Sequence, residues 1–388
     1  MFDPNLVDLT VLRKRAYNLR WATVPEGVIP LTAADPDTPC APEIAEAISR
    51  YAKDRYFCYG PPEGMVEFRE SLAAYYQINR RIPASAAWIF PVDSAAYGIY
   101  LTCKAFLSPG DEAILFDPVD FLFRYSIEAA DAKPVAYALP AGAAFDMRRM
   151  ESLINKKTRL LCLCNPLNPT GKVFTEEELM CIGELACKYN LLILSDEIWS
   201  DIVFPPHVYT SISSLTEEVR DRTVTVTGFS KSYGLAGLRI GAVMASNRAL
   251  YERLFEASLH TSTVHGVNLI AQVAATAALR ECGPWLKDFL RHLQSLRDIC
   301  IPRLNALPGF RCVVPEGCYV AFADISGTGK SSLEMQELLL EEARVAVVPG
   351  MPEWFGPGAA GHIRLSFATS REILTDALDR IKHTIQNL

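Results

Sequence analysis

Short apolar stretches alternate with helical patterns between residues 85 and 245, and this alternation limits the possible folds more than any other feature. The apolar stretches predict buried strands. They are Trp88–Val92, Glu112–Phe116, Leu160–Cys164, Leu191–Ser195, Thr223–Thr227 and Gly241–Ala245. Thr175 followed three positions later by Glu178 is a capping box, which predicts a helix running to about Tyr189. The alternation therefore predicts an α/β fold with a mostly parallel central sheet and helices on both faces.

Composition excludes several classes of function. The 388 residues are too many for one simple core and fit two domains. A net charge of −7 without a basic block argues against nucleic acid as a partner, and no apolar run is long enough for a membrane span. The first five residues contain an acid and no apolar stretch, so we expect no secretory signal and a cytoplasmic protein. Eleven scattered cysteines without C-x-x-C spacing indicate reduced core thiols rather than disulfides or a metal site.

Three polar residues follow predicted strands. Asn168, Asp196 and Lys231 each lie just beyond a strand end, and Arg239 follows Lys231 within a glycine-rich segment. In parallel α/β sheets the ligand binds at the carboxyl ends of the strands. An amine, a carboxylate, an amide and a guanidinium in this arrangement are what a pyridoxal 5'-phosphate (PLP) site requires, because the amine forms a Schiff base and the carboxylate pairs with the pyridine nitrogen.

Four motifs in order resemble those of the class I/II aminotransferases, which are fold-type I PLP enzymes. These are Ser94-Ala95-Ala96, Asn165-Pro166-Leu167-Asn168-Pro169-Thr170-Gly171, Leu194-Ser195-Asp196-Glu197-Ile198 and the segment from Gly228 to Gly241. The resemblance extends from about Leu31 to the C-terminus. It implies a PLP-dependent aminotransferase that acts on an amino acid and a keto acid through a Lys231 Schiff base. It also implies a homodimer with shared active sites, a large domain at 45–280, and a smaller α+β domain built from 1–44 and 281–388.

The same resemblance assigns the site residues. The cofactor-binding set is Ser94, Ala95, Ala96, Asp120, Asn168, Asp196, Trp199, Ser230, Arg239 and, reaching the other subunit, Tyr59. Arg364 is implied to hold the substrate α-carboxylate in a bidentate pair, with Ala34 beside it. From the residues alone, simpler interpretations stay open: a helix N-cap for Asp196, a plain turn for Asn168, a strand-edge ion pair for Arg364 and a packed tyrosine for Tyr59.

Two departures leave the reaction open. Trp199 stands where the aminotransferase pattern has tyrosine, and the segment from Asp196 to Val203 also resembles the cystathionine β-lyase branch of the fold. Asp120 stands where, in the family, an aromatic ring stacks on the cofactor, and Phe121 or Tyr97 would compensate for the missing ring. A shift of the loop by one residue is the simpler interpretation. A PLP-dependent C–S β-lyase is therefore the alternative function. A PLP-binding regulatory protein is a remote alternative. Such regulators carry an N-terminal DNA-binding domain, whereas the enzyme-like segment of this sequence begins near Leu31.

One further motif and one histidine are candidates for a function. Gly327-Thr328-Gly329-Lys330-Ser331 resembles part of a phosphate-binding P-loop, but Asp324 occupies the position of its first glycine, so the match fails. His265 is a candidate to face the partner's site, with an ordinary core or surface histidine as the simpler interpretation.

Overall fold

The computed structural model describes residues 2–3 and 6–387, so the predicted lack of a signal rests partly on positions 1, 4 and 5 outside this range. The helices are α1 Leu9–Arg15, α2 Pro42–Lys53, α3 Val66–Arg80, α4 Ala95–Phe106, α5 Leu122–Ala129, α6 Met147–Glu151, α7 Glu176–Lys188, α8 Glu217–Arg220, α9 Arg248–Ala257, α10 Leu269–Glu281, α11 Gly283–Asn305, α12 Ser332–Glu341, α13 Pro352–Phe355 and α14 Arg371–Gln386. The strands are β1 Ile29–Pro30, β2 Ile89–Val92, β3 Glu112–Asp117, β4 Lys133–Ala138, β5 Thr158–Cys164, β6 Leu192–Asp196, β7 Thr223–Gly228, β8 Gly241–Ala245, β9 Arg311–Cys312, β10 Val320–Asp324, β11 Val345–Ala346, β12 Val348–Pro349 and β13 His362–Ser366.

A seven-stranded sheet forms the centre of the molecule, in the order β2-β8-β7-β6-β5-β3-β4. Neighbouring strands from β7 to β4 are parallel, and only β8 runs against the others. All six predicted strands are present with ends within two residues of those expected. The sequence missed β4, because it is an edge strand whose residues are mostly exposed or half-buried and lack a continuous apolar pattern.

The central strands are buried on both faces. Every residue of β2, β3, β7 and β8 is buried, so the side chains that point to either side of the sheet are covered. Helix α7 begins at the predicted capping box, in which Thr175 and Glu178 each accept a hydrogen bond from the other's backbone N–H. Helix α4 packs against β6, β7 and β8. The predicted α/β architecture with a mostly parallel sheet is confirmed.

The two ends of the chain meet outside the central sheet. β1 pairs in parallel with β11, so that Ile29 lies opposite Val345. A second, antiparallel sheet has the order β12-β13-β10-β9. The proposed domain bounds stay a prediction; the first of them, at 44/45, falls inside α2, which packs against α10. In the described part of the chain, no helix is long and apolar enough to cross a membrane.

Candidate active site

The carboxyl ends of the parallel strands bring the predicted residues to one edge of the central sheet. Ser94 follows β2, Asp120 follows β3, Asn168 follows β5, Asp196 ends β6 and Lys231 follows β7. β2 shares the direction of β7, since both are antiparallel to the strand between them. The parallel pairing explains why residues more than a hundred positions apart in the chain reach the same edge.

Lys231 lies three residues after β7 and points to the N-terminal segment of the chain. Its Nζ donates a hydrogen bond to the carbonyl oxygen of Ala34 at 2.6 Å and lies 5.2 Å from the ring centroid of Trp199. Burial lowers the pKa of the Lys231 amine, and the carboxylate of Asp35 opposes that shift. A lysine with a lowered pKa has more of its neutral, nucleophilic form at neutral pH, which suits covalent chemistry at a carbonyl.

Two residues that the sequence did not indicate complete the surroundings of Lys231. The Tyr319 hydroxyl donates to the same Ala34 oxygen at 3.1 Å, and its ring meets Trp199 edge-on with centroids 4.7 Å apart. Asp35 is half-buried, and burial raises its pKa while the Lys231 charge lowers it. No local pattern marks Tyr319, because it sits between β9 and β10 at a distant point of the chain.

Asp196 is a buried carboxylate without a cationic hydrogen-bond partner among the described residues. Its Oδ1 accepts a hydrogen bond from the Ile198 N–H at 3.1 Å. The chain after Asp196 forms a turn rather than a helix, so the helix N-cap interpretation is wrong. Burial raises the pKa of Asp196 from 3.8 to about 7, and the nearby carboxylates of Asp120 and Glu197 add to the shift. Such a carboxylate is suited to a buried cationic partner, because a positive charge nearby would restore its ionised form.

Asn168 links an anion to a cation at this edge. Its amide Nδ2 donates to Asp120 Oδ2 at 2.8 Å, and its Oδ1 accepts from Arg364 Nη1 at 3.1 Å. Burial raises the pKa of Asp120, and the positive charges of Arg364 and Lys231 counteract it. Asp120, not Phe121, faces the site, because the Phe121 ring packs against Trp354 instead. The structure therefore places a carboxylate at the position for which the resemblance implies an aromatic ring.

Arg364 enters the site from β13, one of the two inner strands of the second sheet. It lies opposite Val348 on β12 and Phe322 on β10, and its side chain is buried. Its Nη2 donates to the Thr32 carbonyl oxygen at 3.3 Å, and its Nε has no hydrogen-bond partner. Burial lowers the Arg364 pKa and the Asp120 charge opposes this. No ion pair to Arg364 occurs within residues 2–3 and 6–387, so the strand-edge ion pair is wrong and the guanidinium retains a free donor.

The predicted phosphate-binding residues surround the N-terminus of α4. Ser94 is the N-cap of this helix, and its Oγ accepts a hydrogen bond from the Tyr97 N–H at 3.1 Å. β8 approaches closely at Gly241, where a Cβ atom would lie 2.7 Å from the Ser94 carbonyl carbon and 2.8 Å from the Ala95 nitrogen. The N–H groups of Ala95 and Ala96 thus lie in the first turn of a twelve-residue helix, where the helix dipole favours an anion.

Ser230 and Arg239 are each two residues from a glycine that approaches the start of α4, Gly228 and Gly241 respectively, and they are less enclosed than Ser94 to Ala96. Ser230 is half-buried, and Arg239 is exposed with a left-handed backbone φ of 54°. Within the described chain, the Arg239 guanidinium has neither a hydrogen bond nor an ion pair and is free to bind an anion. Tyr59 is 87% exposed and its ring meets that of His265 with centroids 4.7 Å apart. The two predicted partner-facing residues therefore lie together on the surface of the chain.

The donor set fits PLP. A half-buried amine, a buried carboxylate with a raised pKa and a helix N-terminus are complementary to an aldehyde, a pyridine nitrogen and a phosphate, respectively. Among the residues that the structure describes, no group of three His, Cys, Asp or Glu side chains could hold a metal ion.

Comparisons of the sequence and of the structure with known proteins both identify aminotransferases as similar proteins. The family model "Aminotransferase class I and II" matches residues 26–381. The chain is 32% identical over 365 residues to an aspartate aminotransferase of Pyrococcus horikoshii, which covers 93% of this chain and 91% of that protein. It is similar in structure to an aromatic aminotransferase from Pyrococcus horikoshii OT3, with a TM-score of 0.87, 28% identity and coverage of 94% and 97%. Cystalysin from Treponema denticola, whose structure contains PLP, has a TM-score of 0.91, with coverage of 100% and 99%; its 23% identity bears on the fold alone.

Proposed function

Because the chain belongs to the class I and II aminotransferase family and is a fold-type I, PLP-dependent aminotransferase, we propose that Lys231 is its catalytic residue. The observation that carries this proposal is the position of the Lys231 amine, which is enclosed at the carboxyl edge of the sheet between Ala34 and Trp199. Bound PLP supplies an electron sink that stabilises negative charge at the substrate α-carbon. With PLP bound, the Lys231 Nζ would accept the proton from the substrate α-carbon and pass it to the cofactor, as its lowered pKa favours.

The surrounding residues bind and orient the reacting groups. Asp196 would pair with the pyridine nitrogen and keep it protonated, and Asn168 would donate to the ring oxygen. The N-terminus of α4, from Ser94 to Ala96, would hold the phosphate together with Ser230 and Arg239, and Trp199 would contact the cofactor. Arg364 binds the α-carboxylate, for which it has an unpaired buried Nε, and Ala34 lines the substrate side.

The donor and acceptor of the amino group are an amino acid and a keto acid. Aspartate and aromatic aminotransferases both occur among the similar proteins. Membership of the family therefore does not fix which amino acid an individual protein uses as its substrate. We further propose a homodimer in which Tyr59 reaches the phosphate of the other subunit's cofactor, since a tyrosine that is 87% exposed is available for that contact. A cytoplasmic location is part of the proposal and rests on composition.

A second candidate reaction is C–S β-elimination, and Asp120 is the observation that favours it. Its carboxylate lies next to Asn168, and its pKa is raised by burial. A carboxyl group of this kind can protonate a leaving thiolate, whereas an aromatic ring cannot. Transamination needs no such group, so the two reactions place different demands on this position.

An amino-acid panel separates these functions. The PLP-loaded protein is incubated with single amino acids and a keto-acid acceptor, and also with an S-alkyl cysteine. Transamination is expected to give the new keto acid and pyridoxamine phosphate without free thiol, whereas elimination gives thiol, pyruvate and ammonia in equal amounts. Borohydride reduction followed by peptide mapping should find the cofactor on Lys231. A label on another lysine would overturn the assignment.

A further inference from the structure

A polar cluster that includes the residue after Lys231 takes no part in the function described so far. It consists of Tyr75 and Arg80 at the end of α3, Ser200 and Asp201 in the turn after Asp196, and Ser232, the residue after Lys231. We call it the Asp201 cluster. The side chains of Arg80 and Asp201 are only 10% and 14% exposed, and they form an ion pair. Arg80 also donates to the Ser200 hydroxyl at 3.2 Å and lies 4.9 Å from the ring centroid of Tyr209.

The carboxylate of Asp201 uses its two oxygens for different neighbours. Oδ1 accepts hydrogen bonds from the Tyr75 hydroxyl at 2.5 Å and from Arg80. Oδ2 accepts one from the Ser232 hydroxyl at 2.7 Å. Oδ1 thus faces α3, whereas Oδ2 holds the segment that carries Lys231. Ser232 is 1% exposed, so no water competes for this hydrogen bond.

The same carboxylate joins both segments that flank the Lys231 amine. Asp201 is two residues after Trp199, whose ring lies 5.2 Å from the Lys231 Nζ, and Ser232 is bonded directly to Lys231. The Asp201–Ser232 hydrogen bond therefore closes a loop between the Trp199 turn and the Lys231 segment. The Arg80 ion pair anchors that loop to a fifteen-residue helix.

We propose that Asp201 is a positioning residue for the reaction, which fixes the Lys231 side chain against Trp199 and Ala34 through the hydroxyl of Ser232. This inference rests on the proposed role of Lys231. Asp201 touches neither substrate nor cofactor; it acts by restricting the backbone from which the amine reaches the reacting carbon. A displacement of an amine by a fraction of an ångström is costly in a reaction that depends on a near-attack geometry.

Replacement of Asp201 itself would be a poor test, because the charge of Arg80 would be left buried without its partner and the fold would suffer. Ser232→Ala is better, since it removes the hydrogen bond to Oδ2 and leaves the ion pair intact. Tyr75→Phe is the matched control. It removes one hydroxyl from the same carboxylate, but on the side of α3, and Arg80 still holds Oδ1.

The experiment compares the wild type with both variants in four measurements. These are the site of borohydride labelling, the dissociation constant of PLP, the rate of PLP capture by the PLP-free protein, and urea unfolding of the PLP-free protein. We expect both variants to lose similar stability, whereas Ser232→Ala alone weakens and slows PLP capture by about tenfold. For Tyr75→Phe we expect both PLP measurements to stay within about twofold of the wild type.

Equal effects of the two variants on PLP capture, or no effect of Ser232→Ala, would overturn the inference, because a general loosening of the cluster would then explain the data. If borohydride labelled a lysine other than Lys231 in the wild type, the proposed function would fail first. The labelling result thus distinguishes the two failures.

Discussion

Replacement of Asp196 by asparagine should stabilise the PLP-free protein and at the same time impair the enzyme. The carboxylate is 6% exposed, and burial raises its pKa from 3.8 to about 7. The folded protein therefore binds a proton between these two pH values that the unfolded chain has released. Stability must consequently fall as the pH rises from about 4 to about 7, and the loss is complete above the folded-state pKa.

The size of the effect follows from the shift. A difference of about three pKa units corresponds to about 4 kcal/mol at pH 8, where the carboxylate is ionised in both states. At pH 5 the folded group is still protonated, and the cost is only about 1–2 kcal/mol. The amide introduced by the substitution would be uncharged at both values and would retain an oxygen to accept the Ile198 N–H. Asp196→Asn should therefore be more stable than the wild type by up to about 4 kcal/mol at pH 8 and by only about 1–2 kcal/mol at pH 5.

Urea unfolding of the PLP-free proteins at both pH values, at one protein concentration, measures this difference. Asp54→Asn serves as a control at an exposed aspartate and should change little at either pH. The PLP-loaded Asp196→Asn variant should lose most of its activity, because the pyridine nitrogen no longer has an anionic partner. Equal stability of variant and wild type at pH 8, or a gain that does not depend on pH, would refute the argument from burial.

Three other substitutions test the remaining assignments. Arg364→Ala should lower kcat/KM for the amino acid by a factor equivalent to a loss on the order of 2–5 kcal/mol of transition-state stabilisation, because a buried charge pair with the substrate is lost. Steady-state kinetics with unaltered constants would contradict the role of Arg364. Asp120→Tyr should tighten PLP binding through ring stacking and reduce the native reaction, and full native activity in that variant would speak against a catalytic carboxylate. Tyr59→Phe should weaken PLP binding in the dimer by several-fold, because one phosphate contact is lost, and PLP titration measures this. If sedimentation showed the wild type to be a monomer, a contact from the other subunit would be excluded.

Local pattern was enough to predict the central sheet and the residues at its carboxyl edge. Buried parallel strands are continuous apolar runs, so β2, β3 and β5 to β8 were visible in the sequence, and the polar residues that follow them could be placed at one edge. β4 was missed because an exposed edge strand has no such signature. The family and the cofactor also followed from local motifs, since each motif is a short segment with fixed spacing.

Long-range contacts decided what the sequence left open. Whether Asp120 or Phe121 faces the site depends on the path of the loop after β3, and the contact with Asn168 settles it for Asp120. The Tyr319 hydroxyl meets Ala34 across 285 positions of the chain, and no local pattern encodes that approach. The Asp201–Ser232 hydrogen bond likewise spans two strand–turn units.

The sequence by itself thus determined which functional groups the proposed site contains: one lysine, one carboxylate at a strand end, one asparagine and the glycine-rich segment. Only the tertiary structure decided the pKa values and the neighbours of these side chains. The pKa of Asp196 rises to about 7 because several chain segments together exclude water from it. Arg364 on β13 contacts Asn168, which follows β5, across 196 positions of the chain. Hydration and electrostatic potential depend on all neighbouring atoms at once, and a linear pattern records only the neighbours along the chain.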